Sequence, residues 1–76
     1  MVKIRLKRLG RKKSPFYRII AIDSRKKRQG LPLMELGWYN PLTKDFQINR
    51  KETLNFLSTG AQPTDTVDRL MKKAQL

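Results

Sequence analysis

The chain has no cysteine and no histidine. The first absence excludes disulfides, thiolate nucleophiles and cysteine-based zinc sites, and the second removes the commonest general base and metal-binding imidazole. Acids are scarce, with six Asp plus Glu against 18 Lys plus Arg, a formal net charge of +12. No stretch approaches the ~18 apolar residues of a membrane span, and the amino-terminal Met1-Val-Lys-Ile-Arg-Leu-Lys-Arg has no apolar signal core. Neither internal repeats nor low-complexity tracts are evident. What remains is 76 residues, 38% of them hydrophobic. That is about half the ~150 residues usual for a domain, so residues 1–76 are read as one small domain with one core.

The excess charge is not spread evenly. Up to Arg28 there are twelve Lys or Arg and one acid, Asp23; the remaining 48 residues carry six basics and five acids. A basic part (1–32) is therefore expected to bind something anionic, with a helical part (49–76) supporting it. The cations group as Lys3, Arg5, Lys7 and Arg8; then Arg11, Lys12 and Lys13; then Arg25, Lys26, Lys27 and Arg28, with Arg18 between the last two groups. A domain this small buries only roughly 60% of its extended-chain surface, so a partner that neutralises this charge would also stabilise the fold.

Val2, Ile4 and Leu6 alternate with Lys3, Arg5 and Lys7, the two-residue period of a strand with one buried and one wet, cationic face. Same-face charges on such a strand stand ~6.6–6.8 Å apart. Gly10 to Pro15 supplies turn punctuation, and Phe16 to Asp23 resumes as a strand, giving a β-hairpin with a basic tip. Its second strand is apolar on both alternating sets, as expected of a central strand covered by helices on one face and partly on the other. Residues 24–32 read as a long loop. A third strand over Leu33 to Tyr39 would place Met34, Leu36 and Trp38 on one face, and Phe46 and Ile48 mark a short fourth. Asn49 to Glu52 fits a capping box opening a helix with Leu54 and Leu57 as its buried stripe, and Gly60 stands where a left-handed residue would end it. After Pro63, Thr64 or Asp65 caps a second helix with Val67, Leu70, Met71 and Ala74 at core spacing. The fold class that follows is α+β, a small four-stranded, mostly antiparallel sheet with two helices packed on one face.

An unmatched charge of this size exceeds the magnitude of about 2–8 that solubility asks of a small domain, and it points to phosphate binding. The strand cations Lys3, Arg5 and Lys7 would line the open face. The tip, Arg11 to Lys13, can enter a groove that a flat face cannot reach, and Arg25 to Arg28 form a cationic loop of the sort that orders on RNA. Phe16, Tyr17, Phe46 and Phe56 are assigned to the core; Trp38 and Tyr39, as strand neighbours, must face opposite ways. No string of the RNP1 type, Gly-x-x-Gly clamp or zinc spacing occurs, leaving backbone and shape recognition. A duplex-DNA or general nucleic-acid binder is the alternative that composition leaves open. A metal-dependent nuclease is disfavoured, because Glu52, Asp65 and Asp68 serve the helix starts and Asp23, Glu35 and Asp45 show no ligand spacing.

Four ordered blocks carry a family resemblance. Residues 1–20, Asp23-Ser-Arg, Glu35-Leu-Gly-Trp-Tyr-Asn-Pro41 and Gly60-Ala-Gln-Pro-Thr-Asp-Thr-Val67 resemble the sixteenth protein of the bacterial-type small ribosomal subunit. The resemblance implies a structural protein that binds the 5′ region of small-subunit ribosomal RNA beside neighbouring ribosomal proteins and promotes subunit assembly. It implies no catalysis, cofactor, membrane or small-molecule substrate. Carried over position by position, Lys3 to Arg8, Gly10 to Lys13, Arg18 and Arg25 match the family's basic blocks and are the implied RNA contacts. The chain departs from the family at Arg28-Gln29-Gly30-Leu31-Pro32, where an Arg-Asp-Gly-Arg type run is usual. Many relatives also continue past the last helix. The start at Met-Val-Lys fits a bacterial or organelle-encoded origin, and equally a processed form, with the ribosome of a bacterial cytoplasm or plastid stroma as the expected location.

Overall fold

The computed structural model describes residues 1–11, 13–23 and 32–76, the side chain of Arg11 excepted. Strand β1 (Val2–Arg11) turns back into β2 (Ser14–Asp23) in unbroken antiparallel register from Val2↔Asp23 to Arg11↔Ser14. The hairpin expected from the alternation is therefore present, with strands that run closer to the tip than the Gly and Pro punctuation suggested. Gly10 permits this. Its φ is +85°, and a Cβ there would stand 2.6 Å from the Ser14 carbonyl oxygen, so any larger residue would be strained at the hairpin's end.

β3 (Met34–Asn40) pairs with β2, and β4 (Asp45–Ile48) pairs with β3, both antiparallel. Helix α1 (Arg50–Ser58) follows, then a two-residue strand β5 (Gln62–Pro63), then helix α2 (Asp65–Lys73). β5 runs parallel to β1 at Lys3 and Ile4, and the Thr64 amide donates to the Ile4 carbonyl at 3.0 Å. The sheet is thus five-stranded and mixed, in the order β4-β3-β2-β1-β5, a correction to the four-stranded expectation. Two residues offer no periodicity to read. Pro63 is tolerated because β5 is an edge, where its missing donor faces no further strand.

The core lies between the sheet and the helices. Ile4, Ile19, Ala21 and Leu36 from the strands meet Ala61, Val67, Leu70 and Met71, with Val2, Leu6, Tyr39, Phe46, Ile48, Phe56 and Leu57 packed around them. Each fully buried Ile or Leu in such a cluster is worth roughly 1.5–3 kcal/mol relative to exposure. Ile20 and Ile22 are buried as well but outside this cluster. Their cross-strand neighbours are Arg5 and Lys3, whose aliphatic stems are long enough to cover them while the charged heads stay in water.

A bulge decides which residues of β3 face the core. Ile19 pairs with Gly37 but Ile20 pairs with Glu35, leaving Leu36 without an opposite number. The extra residue resets the alternation, so Leu36 is buried on the helix side while Glu35 and Trp38 share the open side with Arg18. The expectation that Met34, Leu36 and Trp38 share a face is therefore corrected, and Met34 is exposed. Gly37 is needed where β4 closes on the bulge, because a Cβ there would fall on the Gln47 carbonyl.

Among the aromatics expected in the core, Phe46 and Phe56 pack against it, and Tyr17 stacks on core-packed Tyr39 at 6.3 Å between ring centroids. Phe16 does not join them. It stacks on Trp38 at 5.9 Å on the open side, since β1–β2 alternation and the Trp38↔Arg18 pairing put both rings there. Trp38 and Tyr39 face opposite ways, as their adjacency requires, and both are half-buried.

Helix α1 is capped by Asn49, whose Oδ1 accepts from the Glu52 amide at 3.1 Å, but the reciprocal half of the expected capping box is replaced, since the Asn49 amide donates to the Leu36 carbonyl at 2.6 Å. Its buried stripe is Thr53, Phe56 and Leu57, whereas Leu54 lies one step round the helix and is exposed, correcting its assignment to the stripe. Gly60 follows the helix with φ +97°. Helix α2 buries Val67, Leu70 and Met71 as the spacing predicts. Its N-cap residue, Thr64, makes no side-chain capping bond; Asp65 and Asp68 complement the dipole there, and Lys72 and Lys73 do so in the last turn. Arg50, at the start of α1, donates to the carbonyls of Ala74 and Gln75 at 3.4 and 3.1 Å, joining the end of α2 to the start of α1.

Candidate nucleic-acid interface

Strand alternation and register build the site. Lys3, Arg5 and Lys7 all point away from the helices and are all exposed. Lys7 stands directly opposite Arg18 on β2. Two like charges facing each other across an antiparallel pair, with Cβ atoms ~4.5–5.5 Å apart, destabilise the sheet. Among the described residues, one acid pairs with a cation of this face: Glu35 accepts from Arg18 at 3.1 Å, across the bulge. Because both partners of that bridge are about half exposed, 44% and 56%, it contributes little to stability.

The hairpin continues past the sheet. β3 pairs with β2 only as far as Tyr17, so the register pairs from Leu9↔Phe16 to Arg11↔Ser14 form a two-stranded arm extending about 10 Å. Arg8 comes from the opposite alternating set to Lys7 and is exposed at the base of the arm, opposite Tyr17, and Lys13 is exposed at the tip. The described cations of the first 23 residues thus occupy the open face, the base of the arm and its tip. Gly10 takes its place here by backbone conformation. Lys12, Arg25, Lys26, Lys27 and Arg28 lie outside the described residues, as does the loop expected over 24–32 except for Pro32.

On the edge side of the arm, β1 beyond Ile4 has no β-partner among the described residues, because β5 pairs only with Lys3 and Ile4. A flat edge of this length invites strand pairing with other chains, and its charged side chains oppose that. The three carboxylates outside the helix starts sit on separate strands: Asp23 ends β2 and pairs with the terminal amine at 3.4 Å, Glu35 is bridged on β3, and Asp45 begins β4. No group of three or more acids able to hold a metal occurs among the described residues.

A family model described as ribosomal protein S16 matches residues 8–64. Small ribosomal subunit protein bS16c of Pyropia yezoensis is 53% identical over all 76 residues, which cover 93% of that protein. The chain belongs to the ribosomal protein S16 family. The Chaetosphaeridium globosum bS16c is similar at 51% identity, with 92% of its length covered. Small ribosomal subunit protein bS16 of Synechococcus sp. (strain JA-3-3Ab) is 55% identical over 97% of this chain. The chain spans about half the length of that relative, 48%. The S16 match includes the arm, all of β2, β3 and β4, and both edges of α1, so it covers the open face from Arg8 onward.

Neither stacked aromatic pair nor the Arg18–Glu35 bridge was anticipated from the sequence. The first needs the cross-strand register and the second needs the bulge. A hint existed in the β-branched and aromatic richness of residues 16–22, which fixes a strand but not its neighbour.

Proposed function

We propose that the chain is a structural constituent of the small ribosomal subunit, where it holds folded small-subunit ribosomal RNA of the 5′ region and helps RNA helices to dock during assembly. It has no catalytic role. The carrying observation is the opposition of Lys7 and Arg18 on a face that also bears Lys3 and Arg5, with helices covering the other face. Such a face is poorly arranged for a lone protein in water and well arranged for phosphates from more than one RNA strand, whose charges it neutralises. Lys3, Arg5, Lys7 and Arg18 are assigned to phosphates on the open face. Arg8 at the base of the arm, with Gly10 and Lys13 on it, is assigned to a groove or junction beside that face, and Arg11, Lys12 and Arg25 to Arg28 are assigned as further RNA contacts.

Membership of the S16 family and the cyanobacterial and chloroplast forms among its relatives support this reading and its setting, the ribosome of a bacterial cytoplasm or a plastid, next to other small-subunit proteins. Lys3, Arg5, Lys7, Arg8, Lys13 and Arg18 alone would release counterions with a log–log salt slope of roughly −4 to −5 if each met one phosphate. Titrating the protein with a folded 5′-region transcript and with a DNA duplex of equal charge tests the assignment. Preference for the RNA with that slope is expected, and equal binding would contradict it.

A further inference from the structure

Phosphate neutralisation leaves one part of the open face unexplained. A cleft of about 440 Å³ is lined there by Arg18, Glu35, Trp38, Gln47 and Asn49, among others. Its volume lies within the roughly 300–1,000 Å³ of small-ligand sites. Trp38 stands in the cross-strand row Arg18–Trp38–Gln47, braced from one side by Phe16 at an interplanar angle of 23°. Beside it is the carboxylate of Glu35, whose Oε2 is held by the Arg18 guanidinium.

A carboxylate is the wrong group to offer a phosphate, since it is acceptor-only and of the same sign. Bases, unlike phosphates, carry N–H donors. Guanine alone among the four common RNA bases presents two adjacent ones on its Watson–Crick edge, N1–H and N2–H, which match the two oxygens of one carboxylate. An unstacked base also needs an aromatic or guanidinium plane, and single-stranded positions of RNA are recognised through such stacking combined with edge hydrogen bonds. We propose that the Trp38–Glu35 cleft captures one unpaired guanine of the bound RNA, with the indole stacking on the base, Glu35 accepting from N1–H and N2–H, and Gln47 offering an amide donor to O6. The inference rests on the RNA-binding reading and adds base selectivity to it. Arg18 then serves two ends, lying on the phosphate-facing row while aiming the carboxylate.

Trp38 is the single tryptophan, so its fluorescence reports the cleft without a label. The chain is titrated at low salt with the pentaribonucleotides UUGUU, UUAUU and UUUUU, which carry equal charge. UUGUU is expected to quench Trp38 and to bind roughly tenfold more tightly than UUAUU, the scale of one bidentate edge contact. Glu35→Gln should bring the two within about twofold of each other without weakening UUUUU, because removing an acid lessens repulsion of phosphate. Equal affinities for the three pentamers in the unaltered chain, or a guanine preference that survives Glu35→Gln, would overturn the cleft. In the same preparation, folded ribosomal RNA is compared with DNA. Steep, RNA-selective binding together with equal pentamers rejects only the guanine site, whereas loss of selectivity for folded RNA rejects the RNA-binding reading beneath it.

Discussion

Neutralising Lys7 should make the protein more stable and its RNA binding weaker. Lys7 faces Arg18 across the β1–β2 ladder, and a directly opposed like-charge pair costs on the order of 0.2–1 kcal/mol. Lys7→Gln removes that repulsion while keeping a long polar side chain on an exposed position. A gain of about 0.5 kcal/mol corresponds to a Tm rise of roughly 2–4 °C for a domain of this size. The gain should shrink in 1 M salt, where the Debye length is only about 3 Å. Against folded RNA, one lost phosphate contact flattens the log–log salt slope by about 0.7–0.9 and lowers affinity roughly fivefold near 0.15 M salt. Thermal unfolding at low and high salt, paired with a salt series of binding isotherms, reads both numbers. Lys51→Gln, exposed on α1, serves as the control and should leave the slope unchanged. If Lys7→Gln lowered Tm and left the slope intact, Lys7 would be an ordinary structural surface residue and the argument from opposed charges would fail.

Three further outcomes concern the support beneath that face. Arg50→Ala removes the two bonds to the Ala74 and Gln75 carbonyls just past α2 and should cost about 1 kcal/mol in urea unfolding, whereas an unchanged midpoint would mean that the link from α1 to the end of α2 contributes nothing. Thr53 is fully buried, and its Oγ1 has no hydrogen-bond partner among the described residues; Thr53→Val should therefore be neutral or stabilising by up to about 1 kcal/mol, and a clear loss in Tm would reveal a bond that the hydroxyl does make. Gly37→Ala drives a methyl onto the Gln47 backbone and should destabilise by about 2–3 kcal/mol, with amide exchange accelerating first in β4; protection of β4 at the unaltered level would contradict the close approach.

Much of this architecture is legible in the sequence because the local signals agree. The alternation of Val2, Ile4 and Leu6 with Lys3, Arg5 and Lys7 sets both a strand and its two faces, and the open face carries those three cations as read. Asn49 with Glu52, and Val67 with Leu70 and Met71, fix the start of one helix and the buried stripe of the other. What escaped reading depends on pairing between distant segments. The bulge at Leu36 turns on how β3 registers against β2, so the residue that looked like one of a run of three is the only one of them in the core. β5 is too short to have a pattern and exists because the chain between α1 and α2 passes the free edge of β1. Thr53 stands in the buried stripe in place of Leu54 for a related reason, since a nine-residue helix with few apolar side chains leaves its orientation to the sheet it meets.

Lysine labelling in the intact particle tests most directly whether the open face meets RNA. Acetylation rates read by mass spectrometry in free protein and in small ribosomal subunits should show Lys3, Lys7 and Lys13 strongly protected on incorporation, all three being exposed in the isolated chain. Open-face lysines that label as fast in the particle as in free protein would contradict it.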